Sequence, residues 1–203
     1  MVSFKKQLTA KEKSDAILSS IKTLNNESNN KNIIHIIEEL VKALLTASYA
    51  RLWILNKDKS VLYSKTIDEL EDIEIPIYQG LLGKMARSSE PFFINDVTNS
   101  QDYIKSSDNF EENSIKDMIL MPIIKETNVI YVVQAMTSTS DIQQFTNSDI
   151  QTFKMITPYI QSLDLSSAQK IEEDIKINHN NDKSILEETI NDTLLSKVFA
   201  LFK

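Results

Sequence analysis

The sequence predicts an α+β fold, with one antiparallel sheet, the terminal helices on one face and loops over the other. Three observations lead there. Long stretches of helical apolar spacing occur only toward the two ends of the chain. Between them the spacing shortens to the strand period. The β-prone runs come in pairs joined by short polar turns, which fixes antiparallel pairing.

Taken in order, Thr9 with Glu12 forms a capping-box pattern, and Ile17, Leu18, Ile21 and Leu24 then share one helix face. The polar run Asn25–Asn32 breaks that helix. A second helix is expected over 31–47, with Ile33, Ile34, Ile36, Ile37, Leu40, Val41, Leu44 and Leu45 forming more than one stripe. Such a helix buries two sides, one against a sheet and the other open to a second subunit. Tyr49–Leu55 and Ser60–Lys65 read as a hairpin about Asn56–Lys59. Ile73–Ile77 reads as a strand that Pro76 places at an edge. A short helix Gly80–Arg87, a strand Pro91–Ile94 and a polar, acidic loop Asn95–Asn113 follow. Loops of that length inside a compact domain carry function or motion. Asp117–Ile124 and Asn128–Thr137 form a second hairpin, apolar enough to be covered on both faces. Thr146–Asp149 caps a helix that Pro158 kinks and that is expected to reach Ile177. Ser184–Phe202 reads as a last amphipathic helix with Leu186, Ile190, Leu194, Val198 and Leu201 on one face. The organisation is an N-terminal helix and linker (1–29), a central domain (30–165) and a C-terminal helical extension (166–203).

Composition removes much chemistry. The chain has 203 residues, no cysteine, two histidines and a formal charge of −7. Without cysteine there is no disulfide, thiol nucleophile or thiolate metal site. His35 and His179 lie too far apart in sequence to suggest a metal cage, so no metal and no cofactor is expected. The acidic balance argues against nucleic acid as a partner, since phosphate binding depends on Lys and Arg. Met1–Lys13 has lysines but no apolar run behind them, and no stretch approaches a bilayer span of ~20 residues. A cytoplasmic protein is expected. The apolar end Leu194–Lys203 suits a partner helix better than a membrane, because Lys197 and Lys203 are its only cations.

The chain's two glycines stand three apart, in Tyr78-Gln79-Gly80-Leu81-Leu82-Gly83, followed by Glu90-Pro91-Phe92-Phe93-Ile94-Asn95-Asp96-Val97. This resembles the central signature of GAF domains, a G-x-x-G helix, Glu-Pro, a short strand and Asp-Val. Asp117–Ile123, ending in Pro-Ile, is similar to another strand of that family. Val129–Met136 resembles its last strand, and Phe145-Thr146-Asn147-Ser148-Asp149 the entry to its closing helix. The likeness spans Asn30–Leu165. A KH-type reading of G-x-x-G fails because a strand precedes it in an acidic chain. A phosphate loop fails because Met85 follows Lys84.

The resemblance implies a non-catalytic sensory or regulatory module of bacterial-type signal transduction. It implies a small-molecule pocket between sheet and loops, and a homodimer through helices 31–47 and 147–177. Bilin-binding and methionine sulfoxide reductase members work through cysteines, which are absent here. His35, the candidate haem ligand, reads as a helix residue. Cyclic-nucleotide binders carry Asn-Lys before Phe-x-x-x-Asp-Glu, whereas here Met136-Thr137 and Ile150 stand at those places. The expected wall is Trp53, Tyr63, Phe93, Tyr103, Met118, Leu120 and Tyr131, with Asp96, Asp117 and Gln134 as polar fixings. The alternative for the aromatic and methionine positions is core filling, and for Asp96 a turn or cap. Lys84 and Arg87 read as a solvated helix face. The alternative for the whole is a ligand-free structural dimerisation or interaction module.

Overall fold

Helix α1 (Ala10–Asn25) starts at the predicted capping box. The Glu12 amide donates to Thr9 Oγ1 at 3.3 Å, and the Thr9 amide donates to Glu12 Oε2 at 2.7 Å. The structure is a computed structural model that describes residues 7–64, 73–111, 114–142 and 144–165. The expected helix Ser184–Phe202, and the stretch from 166 to Ile177, lie outside the described residues.

Helix α2 (Asn30–Leu45) is capped by Asn29, whose side chain accepts from the Lys31 amide. It ends at Thr46, which turns left-handed at φ 55°. Six strands follow: β1 (Tyr49–Leu55), β2 (Val61–Ser64), β3 (Ile73–Pro76), β4 (Phe92–Ile94), β5 (Ile115–Lys125) and β6 (Asn128–Ser138). They make one sheet in the order β3-β2-β1-β6-β5-β4, and every pairing is antiparallel. The sheet and helices confirm the α+β class. Pro76 lies on an outer strand, where its missing N–H breaks no ladder. Helix α3 (Gly80–Ser88) lies between β3 and β4.

The long polar loop is more structured than its composition suggests. A 3-10 turn at Val97–Asn99 and helix α4 (Lys105–Asp108) lie within it. The closing helix also differs from expectation. Instead of one kinked helix there are two, α5 (Asn147–Lys154) and α6 (Thr157–Ser162), with Pro158 at the start of the second. Proline lacks the N–H needed to continue α5 but fits a first helical turn, so the break replaces the kink. Leu163 is already extended, at ψ 138°, so α6 does not run on.

Two clusters cover the sheet. On one face Leu52, Ile54, Ile119, Met121, Ile123, Tyr131, Val133 and Ala135 pack with the buried sides of α1, α2, α5 and α6. On the other face Trp53, Leu62, Met118, Leu120, Val132 and Met136 pack with Leu81, Leu82 and Met85 of α3 and with Val97. Both faces of β5 and β6 are therefore covered, as their apolar runs require. Helix α2 is buried between the sheet and its neighbours α1 and α5 within one chain.

Candidate functional site

The loop side of the sheet is the candidate site, and α3 is seated there by its two glycines. Gly80 has φ +63°, and a Cβ on it would come within 2.5 Å of the Asp108 carboxylate oxygens. At Gly83 a Cβ would stand 2.2 Å from the Ile77 carbonyl oxygen. Glycine at both places lets the helix start abruptly and lie directly on the preceding backbone.

Asp108 holds this corner together. It is fully buried. Its Oδ2 accepts from the amides of Leu81 at 3.0 Å and Ile104 at 2.8 Å, and its Oδ1 accepts from the Leu82 amide at 3.0 Å. The Leu81 and Leu82 amides are first-turn donors that α3 itself cannot pair, so the carboxylate caps the helix from a distant segment. Ser107 adds a hydroxyl donated to Gln79 Oε1 at 2.9 Å. Burial raises the Asp108 pKa above the ordinary carboxylate value, while the three amides oppose the rise and Asp102 adds to it. Tyr103, beside it, is raised by burial and by the Asp108 charge.

Below this segment lies the centre of the sheet. Gln134 is fully buried. Its Oε1 accepts from Trp53 Nε1 at 2.9 Å, and its Nε2 donates to the Asp108 backbone carbonyl. The same nitrogen stands 3.5 Å from the sulfurs of Met118 and Met136. Arg51, paired in register with Gln134, spreads its guanidinium 4.1 Å from the Phe110 ring centroid and 5.9 Å from that of Trp53. Phe110 meets Trp53 edge to face at 6.3 Å. The polar atoms at the centre thus have partners within the chain.

Asp117 and Asp96 shape the rim. Asp117, fully buried, accepts from the Asp96 amide at 2.8 Å and from the Thr137 hydroxyl at 3.1 Å. Asp96 is left-handed at φ 65° and accepts from Thr98 Oγ1 and Asn99 Nδ2, each at 2.7 Å. That is the turn alternative for Asp96. Lys84 pairs with Asp102 on the surface, and Arg87 donates to the Ile77 carbonyl.

Of the sequence-predicted wall, Trp53, Tyr103, Met118, Leu120 and Gln134 lie on the loop side, and Asp117 and Asp96 at its rim. Tyr63, Phe93 and Tyr131 do not, for all three pack on the helix side. The reason is the strand period. Partners across a ladder share a face, and Tyr131 pairs with Ile54 and Ile123, Tyr63 with Ile54, and Phe93 with Ile119. Tyr131 instead anchors the end of the domain, donating to the Leu163 carbonyl at 2.8 Å and accepting from the Leu165 amide at 3.0 Å.

Residues that sequence reasoning missed include Phe92 and Ile94, which pair with Leu120 and Met118 and pack on the loop side. Alternation along Phe92-Phe93-Ile94 would have found them. Arg51, Asp108 and Phe110 carried no such signal. Among the described residues no cluster of three or more His, Cys, Asp or Glu could hold a metal ion. No described helix is long and apolar enough to cross a membrane.

An antiparallel sheet with helices on one side and a loop-roofed interior on the other, entered through a G-x-x-G helix, defines a distinct class of α+β domain. The GAF domain family model matches residues 34–162, most of the chain, and the chain belongs to that family. GAF domains serve as sensory and regulatory modules of signalling proteins. The GAF domain of a phosphoenolpyruvate-protein phosphotransferase from Coxiella burnetii superposes with a TM-score of 0.64 at 14% identity, covering 76% of this chain and 93% of that one. Free methionine-R-sulfoxide reductase from Neisseria meningitidis, solved with its substrate, gives 0.62 at 14% identity over 79% and 93%. Residues 122 to 287 of a methyl-accepting chemotaxis protein give 0.58 at 16% identity over 73% and 94%. At these identities the structures are similar in fold. Compared with curated proteins by sequence, the chain matches none.

Proposed function

We propose that this chain is a non-catalytic regulatory module of signal transduction whose loop-side interior is occupied by its own side chains. The observation that carries the reading is the Asp108 carboxylate at the start of α3, with its backbone carbonyl on Gln134. Donors that could grip a small molecule are already spent on the 104–110 segment. The buried carboxylates of Asp108 and Asp117 accept from backbone amides, and the chain has no cysteine to act as a nucleophile. This favours the ligand-free interaction module over a ligand sensor built on Trp53, Tyr103, Asp117 and Gln134. A thermal-shift screen of the full chain against small metabolites tests it. No stabiliser is expected, and a saturable rise in Tm that Gln134→Leu abolishes would restore the sensor.

A homodimer through 31–47 and 147–177 is a separate part of the reading. The large apolar side chains exposed among the described residues are Tyr78, Ile104 and Ile142, none of them on α2, α5 or α6. A dimer through those helices would therefore close over polar and half-buried positions such as His35, Ile36 and Met155. Sedimentation of the full chain at micromolar concentration decides this: a dimer supports helical pairing and a monomer removes it.

A further inference from the structure

Helix α2 faces the sheet with an apolar surface that includes one carboxylate, Glu38, which is only 9% exposed. Its Oε1 accepts from the backbone amide of Leu52 at 2.9 Å. Leu52 lies within β1, and among the described residues β2 pairs with β1 only at Ile54 and Leu55. At Leu52 the amide thus reaches across to the helical layer. One side chain thereby joins α2 to the backbone of the sheet.

We propose that Glu38 is a proton-operated latch between α2 and strand β1, closed when the carboxyl is protonated and loosened when it ionises. A protonated carboxyl still offers its carbonyl oxygen to Leu52 and carries no buried charge. An ionised one must be desolvated among Ile34, Ile37, Val41 and Leu52, or must draw water into the seam. The Leu52 amide bond itself favours ionisation, as do the charges of Arg51 from β1 and Lys42 on its own helix, while Glu39 opposes it. From β6 this face presents Tyr131, Val133 and Ala135, and burial raises the Tyr131 pKa above its ordinary value. From α1 and α5 the cluster receives Ile17, Ile21, Leu24, Ile150 and Phe153, and Asp149 of α5 is held in its own cap by Thr146. Desolvation is the largest effect and pushes Glu38 up to about 7. The latch therefore works in the neutral range.

The sign follows from linkage. The folded chain holds this proton more tightly than the unfolded chain, whose Glu ionises near 4.5. The stabilisation is complete below that value and is lost as pH rises through about 7. A separation of that size corresponds to roughly a 300-fold change in the folding constant. Carboxyl NMR of the full chain should show Glu38 titrating near 7. Denaturation should show stability falling between pH 5 and pH 8 in the native chain, with most of the fall absent in Glu38→Gln, which keeps an acceptor and loses the proton. After correction for intrinsic rates, protection of the Leu52 amide from exchange should fall over the same range, and stay level in the variant. A carboxyl midpoint near 4.5 would overturn the latch, even if the variant failed to fold. An unchanged pH slope in Glu38→Gln, or Leu52 protection indifferent to pH, would overturn it as well.

Discussion

On the helix side of the sheet, α1, α2, α5 and α6 close over side chains that are nearly all apolar, whereas the loop side is roofed by a short segment whose polar atoms point inward. The first face is held by area. Burying a single Ile or Leu there contributes roughly 1.5–3 kcal/mol, and beside the Glu38 bond to Leu52 the packing is spread over many contacts. The second face is smaller and depends on a few directional bonds, those of Asp108, Asp117, Gln134 and Thr137. Directional bonds fail sharply, because removing one partner strands the others in a place water reaches poorly. The difference teaches where change can enter this fold. Glu38 apart, the helix side should lose stability by degrees, and the loop side through individual residues.

The largest effect should therefore come from Asp108. Asp108→Ala removes the acceptor of three amides at once, and a loss of about 4 kcal/mol is expected from chemical denaturation. Asp108→Asn should recover part of that loss, because its carbonyl can still accept. If Asp108→Ala costs less than an Ile37→Val truncation on the helix side, the contrast between the faces is broken. Next in size is Gly83→Ala. The added methyl meets the Ile77 carbonyl, a backbone atom that cannot swing away, and about 3 kcal/mol should be lost. Circular dichroism melting of that variant checks it, and an unchanged Tm would mean that α3 can lift off its seat.

This contrast also explains what could be read in advance. Strand period and turn chemistry act locally, so the two hairpins, the edge position of Pro76 and the capping box at Thr9 were visible in the residues themselves. The glycine pair marked where strand gives way to α3 beside the loop-side interior. Tyr63, Phe93 and Tyr131 fall on the helix face, because alternation along a strand and not aromatic type sets which side a residue takes. Asp108 was invisible for a different reason. In an acidic run from Asp96 to Glu112 nothing local separates a buried capping carboxylate from a solvated one, since its partners Leu81 and Leu82 lie far back in the chain. The end of α6 was missed because apolar spacing continues past Ser162 while the backbone does not.

The smaller effects sharpen the same comparison. Tyr131→Phe takes a hydroxyl that ties the helix-side sheet to the chain after α6, leaving the Leu165 amide buried without that acceptor. About 1–2 kcal/mol should be lost, well below Asp108→Ala, because the ring still fills its place among apolar neighbours. A larger loss would mean that the helix side too rests on single bonds. The smallest effect should be at Lys84. Its pair with Asp102 has both side chains about half exposed, at 52% and 53%, so water and salt screen it and the ordering of two side chains offsets much of the attraction. Lys84→Ala should change stability by less than about 0.5 kcal/mol, and raising the salt concentration should shrink even that difference. A loss that salt does not reduce would show that Lys84 helps close the loop side through packing of its stem, and that the rim belongs with the interior it surrounds.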